Sequence, residues 1–364
     1  MRRPGAVVSP RPGSAVRVRV PGSSANLGPG FDSVGLALGL WDEYLAGVSD
    51  EPGVRVVLGR DGTDDPDVPA DERHLVLATM RRAWQVLGVA QPTGVLLVCH
   101  NTIPQGRGLG SSAAAIVAGV ALAQALATPY ADPADPSDPF EPTRLADPGN
   151  VAHSVVPLGL EFTNDLSGYL EGHPDNASAS VFGGMTLSWQ DDFTPGEIDD
   201  ADGDPSASLP SVRTVQIAVH PDIRPVVLVP EEMLATITAR GVLPAHLPHR
   251  DAALNGARVG LLVHAVTGHP DLLLPATRDW LHQEQRRPSL AGAMDLVDRL
   301  RARGHAAVIS GAGPGVLVLA RPGTIRDVVA DLPLGWRAVC PGIPEVGVQA
   351  ERATFEVLLR ESYV

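Results

Sequence analysis

The sequence predicts an α+β protein of two domains. In both halves of the 364-residue chain, apolar segments of strand length are followed by longer segments whose apolar residues have helical spacing, which is typical of folds that pack helices against sheets. This length accommodates two ordinary domains. We predict a flexible tail at 1–14. Acidic and small residues fill the segment 191–210, and we place the domain boundary there, with a first domain at 15–210 and a second domain at 211–364.

Periodicity assigns the elements of the first half. Apolar and charged residues alternate over 16–20, which is typical of a strand with one buried face, whereas 21–32 has the composition of a loop. Apolar spacing near 3.6 residues predicts a helix over 74–87 that ends at Gly88. The other predicted elements are strands at 33–48, 54–59 and 93–104, a helix from 111, two helices across 160–182 and a strand after 183.

The second half shows the same succession of strands and helices. Proline and aspartate dominate the segment 129–150, which we interpret as a surface insertion of the first domain. The predicted elements that follow are strands at 214–220 and 224–230, helices at 231–243, 252–267 and 290–303, a strand, glycine turn and strand across 305–320, a helix at 323–331 and strands at 335–340 and 346–349.

The charge of the chain restricts its function. The formal net charge is −14, and the sequence contains no lysine, so all 28 basic residues are arginine. A Walker A loop, the ATP site of protein kinases and a Schiff-base mechanism each need a lysine, and all three are excluded. The arginines form no basic stripe, which excludes broad nucleic-acid binding. Any bound anion must therefore be held by local features.

Composition also predicts a location in the reducing cytoplasm, away from membranes. The N-terminal residues MRRPGAVVSPRPGSA lack the apolar core of a signal peptide. The uncharged segment 108–130 contains many small residues, so a buried helix is a better interpretation than a membrane span. Cys99 and Cys340 lie in apolar, strand-like contexts and are expected to be buried free thiols. The oligomeric state is left open, with a homodimer as one option.

The segment 106–127, GRGLGSSAAAIVAGVALAQALA, predicts a glycine-rich loop that leads into a helix. A helix start leaves about four backbone N–H groups unpaired and carries roughly half a positive charge. Glycines let the backbone approach a bulky anion, and the hydroxyls of Ser111 and Ser112 can bind a phosphate or Mg²⁺. The alternative is structural, with serine capping the helix and glycine permitting close packing.

Three segments together resemble the GHMP kinases, a family named after galactokinase, homoserine kinase, mevalonate kinase and phosphomevalonate kinase. PQGRGLGSSAAA is similar to the family's phosphate-binding motif, VPGSSANLGPGFDSVGLAL to its N-terminal motif and ISGAGPGVLVL to its C-terminal glycine motif. SANLGPGFDS and EGHPDN are similar to the members that act on homoserine. The resemblance covers about 15–350 and is interrupted at 129–150 and 191–210. It departs at Gly315, where Thr or Ser is common, and at His74, where Asn is common near adenine.

The resemblance implies a two-domain GHMP kinase fold, with an N-terminal ATP-binding α+β domain, a ferredoxin-like α+β C-terminal domain and the active site between them. It also implies transfer of the γ-phosphoryl group of ATP, with Mg²⁺, to the side-chain hydroxyl of L-homoserine. Phosphoryl transfer depends mainly on positioning and charge neutralisation, so a helix terminus and a metal suffice without lysine. The alternatives are a GHMP kinase for another small alcohol and a non-catalytic member that binds an amino acid or a nucleotide.

The resemblance also assigns roles to individual residues. We expect Ser112, Asp175 and Asn176 to be catalytic or orienting residues, with Asp175 as the better candidate if a general base is used. Mg²⁺ is assigned to Ser112 with Asp165, and Glu171 is the alternative carboxylate. The residues expected to contact L-homoserine are Asn26, Asp32, His173, Thr236, Arg240 and Arg286. The residues expected to contact the nucleotide are His74, Pro104, Gly106, Arg107, Gly108, Leu109, Gly110, Ser111, Ser112 and Ala113.

Several of these assignments have a structural alternative. Asn26 and Asp32 could form an Asx-turn that stabilises their loop. The EGHPDN segment could be a turn in which the backbone satisfies His173. Arg286 has an adjacent competitor in Arg287, and an isolated arginine on a helix is usually solvated.

Overall fold

The computed structural model describes residues 6–59, 68–129, 155–190, 211–232, 241–330 and 332–362. Within these ranges the chain forms two β-sheets with helices packed against them, which confirms the α+β class. The strands are β1 (Ser14–Asn26), β2 (Gly30–Ser49), β3 (Gly53–Leu58), β4 (Gly94–His100), β5 (Met185–Gln190), β6 (Val212–Ile217), β7 (Arg224–Pro230), β8 (Ala306–Ile309), β9 (Val316–Ala320), β10 (Trp336–Val339) and β11 (Gln349–Thr354). The helices are α1 (Leu75–Leu87), α2 (Ser111–Ala127), α3 (Leu160–Glu171), α4 (Pro174–Phe182), α5 (His249–Gly268), α6 (Leu273–Ala276), α7 (Gln283–Arg286), α8 (Ala291–Ala302), α9 (Ile325–Val329) and α10 (Phe355–Glu361).

The first sheet is built on the long hairpin of β1 and β2. Strands β11, β1, β2, β4 and β3 lie side by side in that order, β5 pairs with β2, and β6 pairs with β5. The neighbours are antiparallel except for β3 and β4, which run parallel. Helices α2, α3 and α4 pack on this sheet, and α2 contacts β1 and each of the helices α1, α3 and α4.

The loop predicted over 21–32 is wrong for most of its length. β1 continues to Asn26, β2 begins at Gly30, and the turn between them spans only 27–29. The small residues 22–25 pair with β2, because hydrogen bonding to a neighbouring strand outweighs their low intrinsic preference for strand. Register shifts after Pro21 and after Ala25 bend the hairpin towards its turn.

Helix α2 is confirmed and is buried on every side beyond its first turn. All residues from Ile116 to Ala127 are buried. The polar side chain of Gln124 is satisfied there, since it donates to Thr163 Oγ1 at 2.6 Å and accepts from the backbone N–H of Gly159 at 3.0 Å. The packing fixes the helix in place and leaves its N-terminal turn as the accessible end, where Ser112 is exposed.

The second sheet has the strand order β10, β7, β9, β8, with all neighbours antiparallel. Helices α5 to α8 connect β7 to β8, and α9 connects β9 to β10. This β-α-β-β-α-β succession, with its first strand between its third and fourth, is the ferredoxin-like arrangement expected from the resemblance.

The two sheets share a hydrophobic core. In β7, Val227 and Val229 pack into the cluster that also contains α2 and the first sheet, whereas Val226 and Leu228 pack with α8 on the opposite face. This alternation is the period of two that a strand imposes, and it buries both faces of the second sheet. The second sheet is therefore fixed against the first.

The sheets do not divide the chain at one point. Strands β6 and β11 follow residue 210 but belong to the first sheet. Helix α10 also follows residue 210, and it packs on β11, β2 and β4 of that sheet. A domain boundary at 210/211 therefore separates β6 from its partner strand. Helix α10 was not predicted, and β11 begins where the strand predicted at 346–349 was expected to end.

Both cysteines were predicted to be buried free thiols. Cys99 is buried, and burial raises the pKa of its thiol, whereas Cys340 is exposed and follows the last residue of β10, an edge strand of the second sheet. In the predicted tail, Val8 and Gly13 donate backbone hydrogen bonds to the body of the first domain.

The insertion expected at 129–150 lies, from residue 130 on, outside the described residues, and so does most of the helix expected at 231–243. In the described chain, no helix combines the length and the apolarity that crossing a bilayer requires.

A glycine in β2 allows α4 to approach the first sheet. A Cβ at Gly35 would lie 2.0 Å from the backbone oxygen of Asp175, so Gly35→Ala should lower the free energy of unfolding by about 1–3 kcal/mol. In α5, a Cβ at Gly256 would meet nothing within 4 Å, and Gly256→Ala should instead raise it by about 0.5–1 kcal/mol. Urea unfolding of both variants measures the difference, and equal effects would contradict this packing.

Candidate active site

A polar cleft lies where the turn of the β1–β2 hairpin, the start of α2, the start of α4 and the β8–β9 turn meet. The structure thus brings together residues from five parts of the chain, because α7 also contributes Arg286. Among the described residues, those that line the cleft are Ala25, Asn26, Asp32, Gly106, Gly108, Leu109, Gly110, Ser111, Ser112, Glu171, His173, Asp175, Asn176, Arg286, Gly311 and Ala312.

The glycine loop before α2 has the conformation that an anion site needs. Gly106, Gly108 and Gly110 all have positive φ, between 63° and 70°. Close contacts also demand glycine, since a Cβ at Gly108 would lie 2.1 Å from the backbone oxygen of Ser310, and one at Gly110 would lie 2.3 Å from Ser23 Oγ. No side chain caps α2, so serine capping, the structural alternative for this segment, is absent from this helix start. Its first N–H groups border the cleft.

Arg107 has a different environment from the one predicted. Its guanidinium donates to the backbone oxygens of Gln105 at 2.6 Å, Pro230 at 3.0 Å and Glu231 at 2.6 Å. The side chain therefore ties the loop to the end of β7 and does not line the cleft. Gly315 belongs to the same junction, because it donates to the backbone oxygen of Arg107 at 3.2 Å and any Cβ there would lie 2.4 Å from that oxygen. This contact explains why Thr or Ser does not occupy position 315.

Three other residues assigned to the nucleotide do not line the cleft either. Pro104 and Ala113 flank the loop on its two sides, and Ala113 is buried. His74 is buried at the start of α1, where its Nε2 lies 3.8 Å from Cys99 Sγ. Burial lowers the pKa of His74. Leu109 reaches the cleft only in part, because its side chain belongs to the hydrophobic core.

The carboxylate beside Ser112 is Glu171 and not Asp165. Ser112 Oγ donates to Glu171 Oε1 at 2.8 Å, and both residues line the cleft. Asp165 lies six residues earlier in α3, on the buried side of the helix, where its Oδ1 accepts from the backbone N–H of Val212 at 2.8 Å. Burial raises the pKa of Asp165. Of the two carboxylates considered for a metal, the structure thus places Glu171, the alternative from the same helix, next to Ser112, whereas Asp165 does not line the cleft.

The EGHPDN segment forms the start of α4. His173 has extended backbone just before the helix, and Pro174 begins it. Asp175 is buried, and its Oδ1 accepts from the backbone N–H of Asn176 at 2.7 Å and lies 2.6 Å from His173 Nδ1. The carboxylate of Asp32 lies close by, with its ligand-type atom and those of His173 and Asp175 all within 4.8 Å of one another. The first turn of α4 thus presents these polar groups to the hairpin turn, as expected.

Asn176 is held by serines that the sequence analysis missed. Ser23 Oγ donates to Asn176 Oδ1 at 3.0 Å, and Ser180 Oγ donates to Ser23 Oγ at 3.3 Å. Ser310, from the second sheet, contacts Ser24 Oγ at 2.8 Å. Ser23 and Ser24 lie in the N-terminal motif, Ser310 in the C-terminal glycine motif and Ser180 in a predicted helix. A sequence motif does not show which of these hydroxyls lie close together in the fold.

Asn26 and Asp32 close the hairpin turn and also line the cleft. Asn26 Oδ1 accepts from the backbone N–H of Asp32 at 3.0 Å, and its Nδ2 donates to the backbone oxygen of Gly311 at 3.1 Å. Both residues and Leu27 have positive φ, which is costly for residues with a side chain. Strained backbone of this kind is concentrated at functional sites. The turn-stabilising alternative therefore holds for Asn26 without removing it from the cleft.

Of the two adjacent arginines, Arg286 lies in the cleft. It is 2% exposed, its Nη1 contacts the backbone oxygen of Gly311 at 3.3 Å, and its Cζ lies 5.7 Å from the centre of the Phe31 ring. Arg287 instead forms surface ion pairs with Glu284 at 2.7 Å and Asp298 at 2.9 Å. Thr236 and Arg240, which were also expected to contact L-homoserine, lie outside the described residues.

The cleft is acidic. Among its described lining residues, Asp32, Glu171 and Asp175 carry carboxylates and Arg286 carries a guanidinium. An anionic ligand would therefore depend on the backbone N–H groups at the start of α2 and on a cation that accompanies it. Ser112 and Glu171 supply the hydroxyl and carboxylate oxygens that Mg²⁺ prefers.

The sequence is similar to a known family model and to the full sequences of known proteins. The family model described as the GHMP kinases N terminal domain matches residues 74–184. A homoserine kinase of Streptomyces avermitilis is 42% identical over 325 residues, which cover 89% of this chain and 92% of that protein. A homoserine kinase of Rhodococcus opacus is 45% identical over 307 residues, covering 84% of this chain and 88% of that protein.

Solved structures show the same fold. The crystal structure of homoserine kinase from Cytophaga hutchinsonii matches with a TM-score of 0.66 at 23% identity, covering 93% of this chain and 97% of that one. The structure of a putative homoserine kinase from Listeria monocytogenes matches with a TM-score of 0.62 at 25% identity, covering 92% and 98%. The extent of the match to the sequence relatives, together with the residues of the cleft, shows that the chain belongs to the homoserine kinases of the GHMP kinase family.

Proposed function

We propose that the protein transfers the γ-phosphoryl group of ATP to the side-chain hydroxyl of L-homoserine, a step of threonine biosynthesis that yields O-phospho-L-homoserine and ADP. One observation carries the proposal. The uncapped start of α2, with Ser112 and Glu171, shares a cleft with groups suited to an amino acid that bears a hydroxyl, namely Asp32, Asn176 and Arg286.

The nucleotide's phosphates would lie against the loop 106–110 and the first turn of α2. Backbone N–H groups and the helix dipole attract anions there, which a chain without lysine requires. Ser112 and Glu171 would hold Mg²⁺, because a hydroxyl and a carboxylate oxygen within 2.8 Å of each other match its preference for oxygen ligands. When bound, the ion would offset the negative charge of the phosphates.

The acceptor would be held by its two charged ends. Asp32 would pair with the ammonium group and Arg286 with the carboxylate, since guanidinium and carboxylate match in geometry. Thr236 and Arg240 remain predicted contacts of the same substrate. Asn176, whose oxygen accepts from Ser23, would contact the hydroxyl that reacts.

The chemical step needs little beyond this arrangement. The hydroxyl oxygen forms a bond to the γ-phosphorus, the bond from that phosphorus to the β–γ bridging oxygen breaks, and the hydroxyl proton leaves to solvent or to Asp175. Positioning and charge neutralisation supply most of the rate enhancement in such transfers. The Oδ1 atom of Asp175 already contacts His173 and the N–H of Asn176, so its first role would be to orient these groups.

A substrate panel tests the proposed function. With MgATP, ADP release should be fastest with L-homoserine and at least about tenfold slower, as kcat/KM, with L-serine, L-threonine or mevalonate, because each lacks a charged group or the chain length that the cleft accommodates. Faster turnover of another alcohol would indicate a different GHMP kinase. Binding without any turnover would indicate a non-catalytic member of the family.

Two carboxylate variants test the metal assignment. Glu171→Gln should lower kcat about tenfold or more and raise the Mg²⁺ concentration needed for half-maximal rate, because a charged ligand is lost. Ser112→Ala should act in the same direction, with a smaller effect on the KM for homoserine. Asp165→Asn is the matched control from the same helix and should leave the Mg²⁺ dependence within about twofold. A larger effect of Asp165→Asn than of Glu171→Gln would restore the original assignment.

A further inference from the structure

His282 is a fully buried histidine that lies behind the cleft and does not line it. Its side chain is 0% exposed, and its ring lies 5.2 Å from the ring of Phe31. Asp279 holds the backbone of this segment, since its carboxylate accepts from the N–H groups of Leu281, His282 and Gln283 at 2.8–3.1 Å. The imidazole is therefore fixed by its own backbone as well as by its surroundings.

The two ring nitrogens contact two different parts of the site. His282 Nε2 lies 2.8 Å from the backbone oxygen of Gly28, in the hairpin turn, and Arg286 Nη1 lies 3.2 Å from His282 Nδ1. A backbone oxygen can only accept and a guanidinium can only donate. Nε2 must therefore carry the proton, and Nδ1 must be the acceptor, which defines a neutral imidazole with a single tautomer.

The surroundings favour that neutral form. Burial, and then the neighbouring guanidinium of Arg286, lower the pKa of His282, and the carboxylates of Asp279 and Asp32 oppose them. The carboxylate of Asp279 lies 3.7 Å from Nε2, but its oxygens already accept from three backbone N–H groups. The hydrogen bonds to Gly28 and Arg286 thus define the role of the ring.

These contacts join the two ends of the proposed substrate site. Gly28 belongs to the turn whose end carries Asp32, and the turn comes from the first sheet. Arg286 comes from α7, in the second domain. His282 thus contacts both Arg286 and this turn through one rigid ring.

We propose that His282 is a positioning residue that sets the placement of Arg286 relative to Asp32 and thereby makes the site select a substrate with both a carboxylate and an ammonium group. The inference rests on the proposed function, because it assigns these two residues to the two charged ends of L-homoserine. It adds that a residue outside the cleft determines how well both ends are held at once.

Two substitutions separate the contacts of the ring. His282→Gln places an amide N–H₂ near Nε2 and keeps a donor for Gly28, but it loses the acceptor for Arg286. His282→Asn places an amide oxygen near Nδ1 and keeps the acceptor, but it loses the donor for Gly28. Asn255→Ala is the matched control, because Asn255 is also buried and contacts the same turn. Its Nδ2 donates to the backbone oxygen of Pro29 at 2.8 Å, and its Oδ1 accepts from the backbone N–H of Trp280.

Steady-state kinetics provide the first measurement. Each His282 variant should raise the KM for L-homoserine about tenfold or more, which is the size expected for losing one hydrogen bond to or near a charged group. The KM for ATP and kcat should stay within about twofold, as should all three parameters of Asn255→Ala. Thermal unfolding of each variant confirms that the folded protein is being compared. A homoserine KM unchanged in both His282 variants, or raised equally in Asn255→Ala, would overturn the proposal.

Two half-ligands test the role more directly. 4-Hydroxybutanoate keeps the carboxylate of homoserine without the ammonium, and 3-aminopropan-1-ol keeps the ammonium without the carboxylate. As competitive inhibitors, the first should weaken mainly in His282→Gln and the second mainly in His282→Asn, whereas equal weakening of both ligands in both variants would mean general loosening and would contradict the proposal. The wild-type protein separates the two hypotheses: no turnover of L-homoserine contradicts the proposed function, and turnover with unaffected variants contradicts the role of His282.

Discussion

Backbone hydrogen bonds from both sheets hold the loop before α2, and the open start of that helix depends on them. The first sheet contributes the N–H of Ser23, which donates to the backbone oxygen of Leu109 at 3.0 Å. The second sheet contributes Gly315 and the end of β7, both joined through Arg107. A loop of glycines has many accessible conformations when free, so holding it in one conformation costs entropy that these bonds must offset. The conformation of the loop and the open start of α2 are thus products of the whole fold and not of the loop alone.

The same contacts explain why a chain with a net charge of −14 can bind a polyanion. Backbone N–H groups carry no formal charge, so their attraction for an anion does not depend on the numbers of acidic and basic side chains in the protein. Arg107, which the sequence placed at the phosphates, instead donates to three backbone oxygens. Among the described lining residues, the guanidinium that remains is that of Arg286, which contacts Gly311 in the β8–β9 turn and the ring of Phe31 next to the hairpin turn. In the proposed arrangement, the attraction of phosphates at the start of α2 is therefore separate from the recognition of a carboxylate by Arg286.

Local signals made much of this structure predictable, and the failures have a common cause. The helices α1 and α2 and the motif residues of the cleft follow from periodicity, glycine placement and the family resemblance. The loop predicted over 21–32 is wrong because strand pairing is non-local. Asp165 lies away from the cleft because helix geometry turns it towards β6, while Glu171 faces Ser112. Ser23 lies inside the N-terminal motif and His282 lies close to Arg286, but Asn176, the partner of Ser23, and Gly28, one partner of His282, are more than 150 residues away in sequence. Spacing within a motif does not show such partners.

The pairing of β11 with β1 has a consequence for how the protein is made. Ser14 is paired with Thr354, so β1 meets this neighbour only after all the residues between the two strands have been synthesised. Until then one side of β1 is an open sheet edge, which can recruit other strands. Contacts over such a sequence separation form slowly because a long loop must close first. A nascent chain of this protein therefore has a prolonged interval of exposure to aggregation, which chaperones or the early packing of β2 on β1 would have to limit.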